Sequence, residues 1–329
     1  MALTAGSDGT TGQITGASMR VGIVLPIDQG EGADAPPTYP EIRAVARAAE
    51  DAGLDSLWVF DHLLFRFKGK TTGIHECWTI LSAIAEATSR VQLGSIVMCT
   101  SFRNPALLAK MAATLDHVCD GRLILGIGCG WHDPEYQAFG YPTDHKVGRF
   151  EESLTVIRDL IREGRADLAG QWVTADDVVL LPPARRDIPI LIAAKRPRML
   201  ELTARHADAW NLAWFGVPDE KLATSRADLA EACARVGRDP DSLEITVGVS
   251  VRYPDLLPAP TEPAEPPAPD APPERVLQGS VVEIAAGLGA HAALGTGHLI
   301  AALDPTTPES VRRFAESVEM WRAEGAARS

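Results

Sequence analysis

The feature that most limits what this chain can become is an alternation that starts at Arg20 and runs almost to the C-terminus. Short apolar, β-rich runs each give way to a longer stretch with apolar residues at helical spacing. RVGIVLP (20–26) is followed by Ile42, Val45, Ala46 and Ala49 on one helical face, with Gly53 at a C-terminal cap. LWVF (57–60) ends in Asp61-His62 and precedes ECWTILSAIAEATSR (76–90). VQLGSIVM (91–98) leads to Asn104-Pro105, an N-cap with proline at the first helical position. RLILGIG (122–128) precedes a helix carrying Phe150, Leu154, Ile157 and Ile161 on one face. IPILIAA (188–194), DAWNLAW (208–214), LEITVGVSV (243–251) and HLIAALD (298–304) supply four more strands. Their helices are expected at 197–206 and 218–236, after a Ser280/Glu283 capping box, and from Thr307-Pro308 through Trp321. Eight successive βα units without an internal repeat predict an α/β fold, a (β/α)8 TIM barrel in one domain with insertions.

Three stretches depart from the alternation. Residues 1–18 are Gly, Thr and Ser rich and are expected to be a disordered tail, leaving 19–329 as the barrel domain. Residues 170–187 read as a hairpin insertion, and 254–273 as a proline-rich mobile loop. That loop is either a flap over the catalytic face or an insertion without mechanism.

Charge and cysteine usage narrow the partners. With 44 acidic against 31 basic residues, the net charge of −13 opposes binding to nucleic acid or an anionic membrane surface, so a small-molecule substrate is expected. No apolar run approaches the roughly 20 residues of a bilayer span, and no signal-peptide pattern opens the chain. Five cysteines without CxxC spacing read as free thiols, mostly small core residues, and the expected location is cytoplasmic.

In a barrel of this kind the active site lies where the strands end, so the rim should comprise Asp61-His62, the 96–100 stretch (Ile96, Val97 and Met98 among it), 128–131, 193–196, Asn211, Ser250 and Asp304. The conspicuous rim motif is GIGCGWHDPEYQAFG (126–140). Its GxGxG spacing differs from the GxGxxG of a dinucleotide loop, and Pro134, Gly140 and Pro142 are expected to interrupt any immediate helix, so no helix dipole is aimed at a pyrophosphate. Closely spaced glycines instead let a flat ring lie against bare backbone.

Four runs carry a resemblance: AEDAGLDSLWVFDHL (49–63), SRVQLGSIVMCTSFRNP (89–105), GRLILGIGCGWHDPEYQAFG (121–140) and ARHADAWN (204–211). They resemble the bacterial luciferase-like monooxygenase superfamily, in register from Met19 to about Trp321, and the GWHDPEYQAFG form looks most like its deazaflavin (F420)-dependent branch. The resemblance implies a TIM barrel, F420 as cofactor with FMN as the alternative, and a homodimer. It implies that Asp61 and His62 match a DH pair beside the ring, and that Ile96-Val97 match a non-prolyl cis peptide behind the ring, with Met98 next to it. Gly128, Cys129, Gly130 and Trp131 match the strand end that receives the ring, and Ala193 and Ala194 a phosphate turn. That turn is usually Gly-rich, whereas here it reads AAKRPR, so Lys195 and Arg196 are expected to hold a phosphate by charge. Trp131 stands where the family's sugar-phosphate dehydrogenases carry an acid, which argues against that substrate class.

His62 is the candidate general acid or base, because imidazole titrates nearest neutral pH; the other reading is a structural histidine. Arg66, Lys68 and Lys70 either meet an anionic coenzyme tail or line a solvated loop. His75-Glu76 and His132-Asp133 lack metal-ligand spacing, so no metal is expected. Trp58 reads as core, while Trp131, Trp210, Trp214 and Cys129 either wall a pocket or pack. The leading expectation is an F420-dependent oxidoreductase acting by hydride transfer, with an FMN-dependent monooxygenase as the alternative within the superfamily. From other classes, a noncatalytic flavin-binding barrel and a metal-dependent hydrolase stay open.

Overall fold

The computed structural model describes residues 19–30, 33–67, 69–184, 188–257 and 275–327. The expected tail at 1–18 and most of the proline-rich 254–273 stretch lie outside the described residues, as does Lys68.

Eight parallel strands form the barrel: β1 (Arg20–Val24), β2 (Ser56–Val59), β3 (Gln92–Ser95), β4 (Leu123–Gly128), β5 (Ile190–Ala193), β6 (Ala209–Phe215), β7 (Glu244–Arg252) and β8 (His298–Asp304). Each pairs with its sequence neighbour, β8 returns to β1 with His298 opposite Arg20, and β4 meets β5 with Leu125 opposite Ile190. Closure removes every free edge.

The helices follow the expected places: α1 (Tyr39–Asp51), α2 (Cys77–Ala87), α3 (Pro105–Val118), α4 (Asp133–Phe139), α5 (Lys146–Glu163), α6 (Pro197–His206), α7 (Glu220–Val236), α8 (Val281–Ala293) and α9 (Pro308–Ala326). Asn104 caps α3 by accepting the Leu107 backbone N–H, and Ser280 with Glu283 forms the capping box of α8. The apolar faces of these helices and the outward faces of the strands make one large core, to which Ile42, Val45, Leu154, Ile157 and Phe314 belong. A second, smaller core of Val24, Trp58, Ile124, Leu191, Ala209 and Ile300 fills the barrel interior. Trp58 is thus core, as read from the sequence.

Two expectations need correction. A helix does follow the glycine motif directly. Pro134 sits in the first turn of α4, where proline's missing N–H costs nothing, and Gly140 ends it in the left-handed conformation with φ of 77°. The hairpin after α5 begins earlier than residue 170: its strands are Arg165–Ala169 and Thr174–Val179, because Gly164 closes α5 and the chain turns into the first strand at once.

Candidate active site

A cavity of about 570 Å³ opens where β2 to β6 end. Of the expected rim residues, Asp61, His62, Ile96, Val97, Cys99, Gly128, Cys129, Gly130, Trp131, Ala193, Ala194, Lys195, Arg196 and Asn211 line it, together with Trp214 and the unforeseen Glu135. Met98 does not. It lies between Val97 and Cys99, and the alternation of an extended chain turns its side chain away into the outer core, where its Sδ is 3.4 Å from Cys77 Sγ. The Ile96–Val97 peptide is cis, as the resemblance implies, and so is Ala213–Trp214 on the other wall.

Asp61 is buried and fully engaged. Its carboxylate accepts the Cys99 backbone N–H at 2.9 Å and the Cys77 thiol at 3.2 Å, and it forms a two-pronged ion pair with Arg103 at 2.5 and 3.1 Å. Its four contacts tie the β2 end to the loop after β3, so it organises the cavity wall rather than offering a free acid. Asp61, Glu76 and Cys77 place three ligand atoms within 4.8 Å of one another. Arg103 bridges the two carboxylates, with 2.6 Å to Glu76, and this guanidinium supplies the positive charge a cation would bring.

His62 projects into the cavity, and its Nδ1 is 2.9 Å from Oε1 of Glu135 on α4. The second oxygen of Glu135 accepts the Leu63 backbone N–H at 2.8 Å, and the carboxylate is 1% exposed. Donation from Nδ1 to this carboxylate orients the ring and leaves Nε2 as the nitrogen available for proton transfer. The sequence reading missed Glu135 because it expected no helix after the motif. The available signal was an acid in the first turn of a Pro-initiated helix. Neighbouring His132 is buried, which pushes its pKa below the ordinary value, and its Nε2 accepts the Arg66 backbone N–H at 3.1 Å.

The glycine motif has protein neighbours of its own. A Cβ at Gly126 would collide with the Ser95 carbonyl on the adjacent strand β3, and one at Gly128 would lie 2.8 Å from the Val97 side chain. Gly130 has φ of 72° and leaves room for the Tyr136 hydroxyl, which donates to the Cys129 carbonyl at 2.8 Å. Close packing of strand against strand therefore accounts for Gly126, while Gly128 and Gly130 also present backbone to the cavity.

At the other end, the Lys195 ammonium donates to the Ala213 carbonyl at 3.1 Å, and burial with nearby Lys221 and Arg275 lowers its pKa. Arg196 precedes α6, whose first turn no side chain caps. Trp210 is not a cavity wall: it is fully buried and its indole donates to the Ala194 carbonyl at 2.9 Å, fastening the turn. Asn211 donates to Thr246 at 2.9 Å. Asp304 pairs with Arg252 outside the cavity. Arg66 and Lys70 belong to an exposed hairpin, Phe65–Phe67 with Lys70–Thr72, and do not line the cavity. His75 bonds the Pro37 carbonyl and Glu76 caps α2.

The sequence model of the luciferase-like monooxygenase family matches residues 19–255. The chain is 35% identical over 234 residues to a phthiodiolone/phenolphthiodiolone dimycocerosates ketoreductase of Mycobacterium tuberculosis strain H37Rv, covering 63% of this chain but only 59% of that protein. It is 32% identical over 248 residues to the pyrimidine monooxygenase RutA of Methylorubrum extorquens strain AM1, covering 70% of this chain and 67% of that one. In structure it is similar to an F420-dependent secondary alcohol dehydrogenase solved with an F420-acetone adduct, with TM-score 0.74, 19% identity, 92% of this chain and 99% of that chain covered. It is also similar to the coenzyme F420 dependent tetrahydromethanopterin reductase of Methanopyrus kandleri, with TM-score 0.71, 15% identity, 91% and 98% covered. The last two likenesses concern the fold. The family match spans β1 to the end of β7 and takes in every wall of the cavity, and the chain belongs to the luciferase-like monooxygenase family, whose relatives here are oxidoreductases and monooxygenases.

Proposed function

We propose that this chain is an F420-dependent oxidoreductase that interconverts a carbonyl compound and its alcohol, with His62 handling the proton. The observation that carries the reading is the His62–Glu135 pair at the cavity wall, since a histidine held by a buried carboxylate is built to give and take a proton at one fixed nitrogen. A ketoreductase among the sequence relatives and an F420-dependent alcohol dehydrogenase among the structural ones support it.

The residues present fit a deazaflavin. Ile96, Val97, Ala193 and Ala213 offer apolar walls to a flat ring, Gly128, Cys129 and Gly130 offer a backbone edge, and Lys195 and Arg196 offer cations beside the uncapped start of α6 for an anionic side chain. Burial first, and then nearby Lys221 and Arg275, lower the Lys195 pKa, and an anion bound there would offset these effects. When bound, the deazaflavin supplies hydride donation or acceptance at carbon. His62 gives its Nε2 proton to the substrate oxygen during reduction and takes it back during oxidation. Glu135 stabilises the imidazolium that donates in the first case and forms in the second, and Asp61 with Arg103 keeps the wall in place.

The alternative is an FMN-dependent monooxygenase, which the RutA likeness favours. Titration with F420 and with FMN, oxidised and reduced, separates the two, followed by turnover of acetone and 2-propanol. F420 binding with reversible ketone reduction is expected; tight FMN binding with oxygen-dependent product and no response to F420 overturns it. His62→Ala should lower kcat by about 100-fold, the usual scale for a lost general acid or base, with cofactor affinity retained.

A further inference from the structure

The mouth of the cavity carries aromatic surface that the proposed reaction does not use. Trp131 lines the cavity yet is 62% exposed, and Phe67, on the hairpin after β2, is 50% exposed and stacked beside it with ring centroids 6.2 Å apart and planes 28° from parallel. Large side chains left this open, side by side, are unusual on a protein surface unless something covers them. The pair is mechanically supported. Phe65 packs on His62 at 4.6 Å, His132 packs on Phe67 at 4.7 Å, and His132 in turn accepts the Arg66 backbone N–H, which ties the hairpin to the segment that bears Trp131.

The shelf also touches the proton-handling group. The His62 and Trp131 rings meet edge to face with centroids 5.5 Å apart. An oxygen bonded to His62 Nε2 therefore places the substituents of its carbon within reach of Trp131. A cavity of about 570 Å³ accommodates one drug-sized ligand, which a tricyclic cofactor with its side chain already is. The rest of any sizeable substrate has to leave through the mouth.

We infer that Trp131 and Phe67 form a shelf for a flat apolar group on the carbonyl carbon, so that the preferred substrates are aryl ketones and aryl carbinols rather than small aliphatic ones. This rests on the proposed carbonyl chemistry, and it assigns Trp131 to substrate instead of cofactor. Stacking on the exposed Trp131 face, with edges against Phe67, supplies affinity that a methyl group does not. The aromatic faces of Phe65, Phe67 and Trp131 bear no charge, while Arg66 and Lys70 lie on the same hairpin.

Two measurements test it separately from the reaction. The first is binding of 2-naphthol to the protein with and without F420, followed by tryptophan fluorescence and by sedimentation. The wild type is expected to bind, and Phe67→Ala and Trp131→Leu to weaken binding by about tenfold, with sedimentation unchanged. The second is kcat/KM for acetophenone against acetone. The wild type is expected to favour acetophenone, and Phe67→Ala to lower that preference about tenfold while acetone turnover changes less than about twofold. No naphthol binding, binding indifferent to both variants, or a changed sedimentation coefficient that marks the shelf as a contact between copies each overturns the inference. Naphthol binding lost in the variants, with no turnover of either ketone by the wild type, upholds the shelf and overturns only the proposed reaction.

Discussion

His62 and Glu135 stand 73 residues apart in sequence, yet their contact decides what the histidine can do. A carboxylate at Nδ1 selects one tautomer, and that selection is lost if the acid becomes an amide whose nitrogen can donate instead. Glu135→Gln should therefore lower kcat by about 100-fold and leave cofactor affinity unchanged. An unchanged kcat would assign Glu135 a purely structural role. Asp61 belongs to a different kind of argument. Removing its charge leaves Arg103 with one carboxylate and leaves a single acceptor oxygen for the Cys99 N–H and the Cys77 thiol, so Asp61→Asn should cost about 3 kcal/mol in urea unfolding. The Asp61-His62 pair was legible as a strand-end motif. Its division of labour was not, because adjacent residues on an extended chain face opposite ways and sequence does not say what each meets.

At the scale of elements, the helix after β4 shows how local signals mislead. Pro134 and Gly140 are helix-breaking residues in an interior, but they are also the residues preferred at a helix's first turn and just past its end, and α4 is the short element that fits between them. Its Tyr136 reaches back under Gly130, whose positive φ and lack of a side chain make the loop possible. Gly130→Ala should cost about 2 kcal/mol, read as a shift in the urea midpoint, and weaken cofactor binding by displacing the Cys129 carbonyl. By contrast, the caps at Asn104 and Ser280 were readable outright, since capping depends on residues three positions apart on one chain. The hairpin at Phe65–Thr72 was not, because the basic residues of RFKGK drew attention while its exposed aromatics gained meaning only beside Trp131.

For the whole molecule, the barrel interior sets a pH limit on stability. His298 on β8 is fully buried, its Nε2 bonded to Ser56 Oγ at 2.6 Å, and burial holds its pKa well below the ordinary 6.5. Burial likewise lowers His291, which bonds the Gly216 carbonyl at 2.9 Å. A histidine with a depressed folded-state pKa binds protons more readily when unfolded, so its contribution is fully present above pH 6.5 and is lost as pH falls toward the folded value. The urea midpoint should drop between pH 7.5 and 5.5, and His298→Gln should drop less over the same interval; equal slopes would place the sensitivity elsewhere.

The order of eight βα units was fixed by the sequence pattern itself, since apolar periodicity and caps act over a few neighbouring residues. The site's location followed from that order through the rule that barrels work at their strand ends. The register between strands, such as Leu125 opposite Ile190, the lodging of Met98 in the outer core, the capture of His62 by Glu135 and the stacking of Phe67 on Trp131 came only with tertiary structure. Each is a contact between segments distant in sequence, and which side chain meets which is decided by strand register and helix placement, quantities that no short window of residues contains.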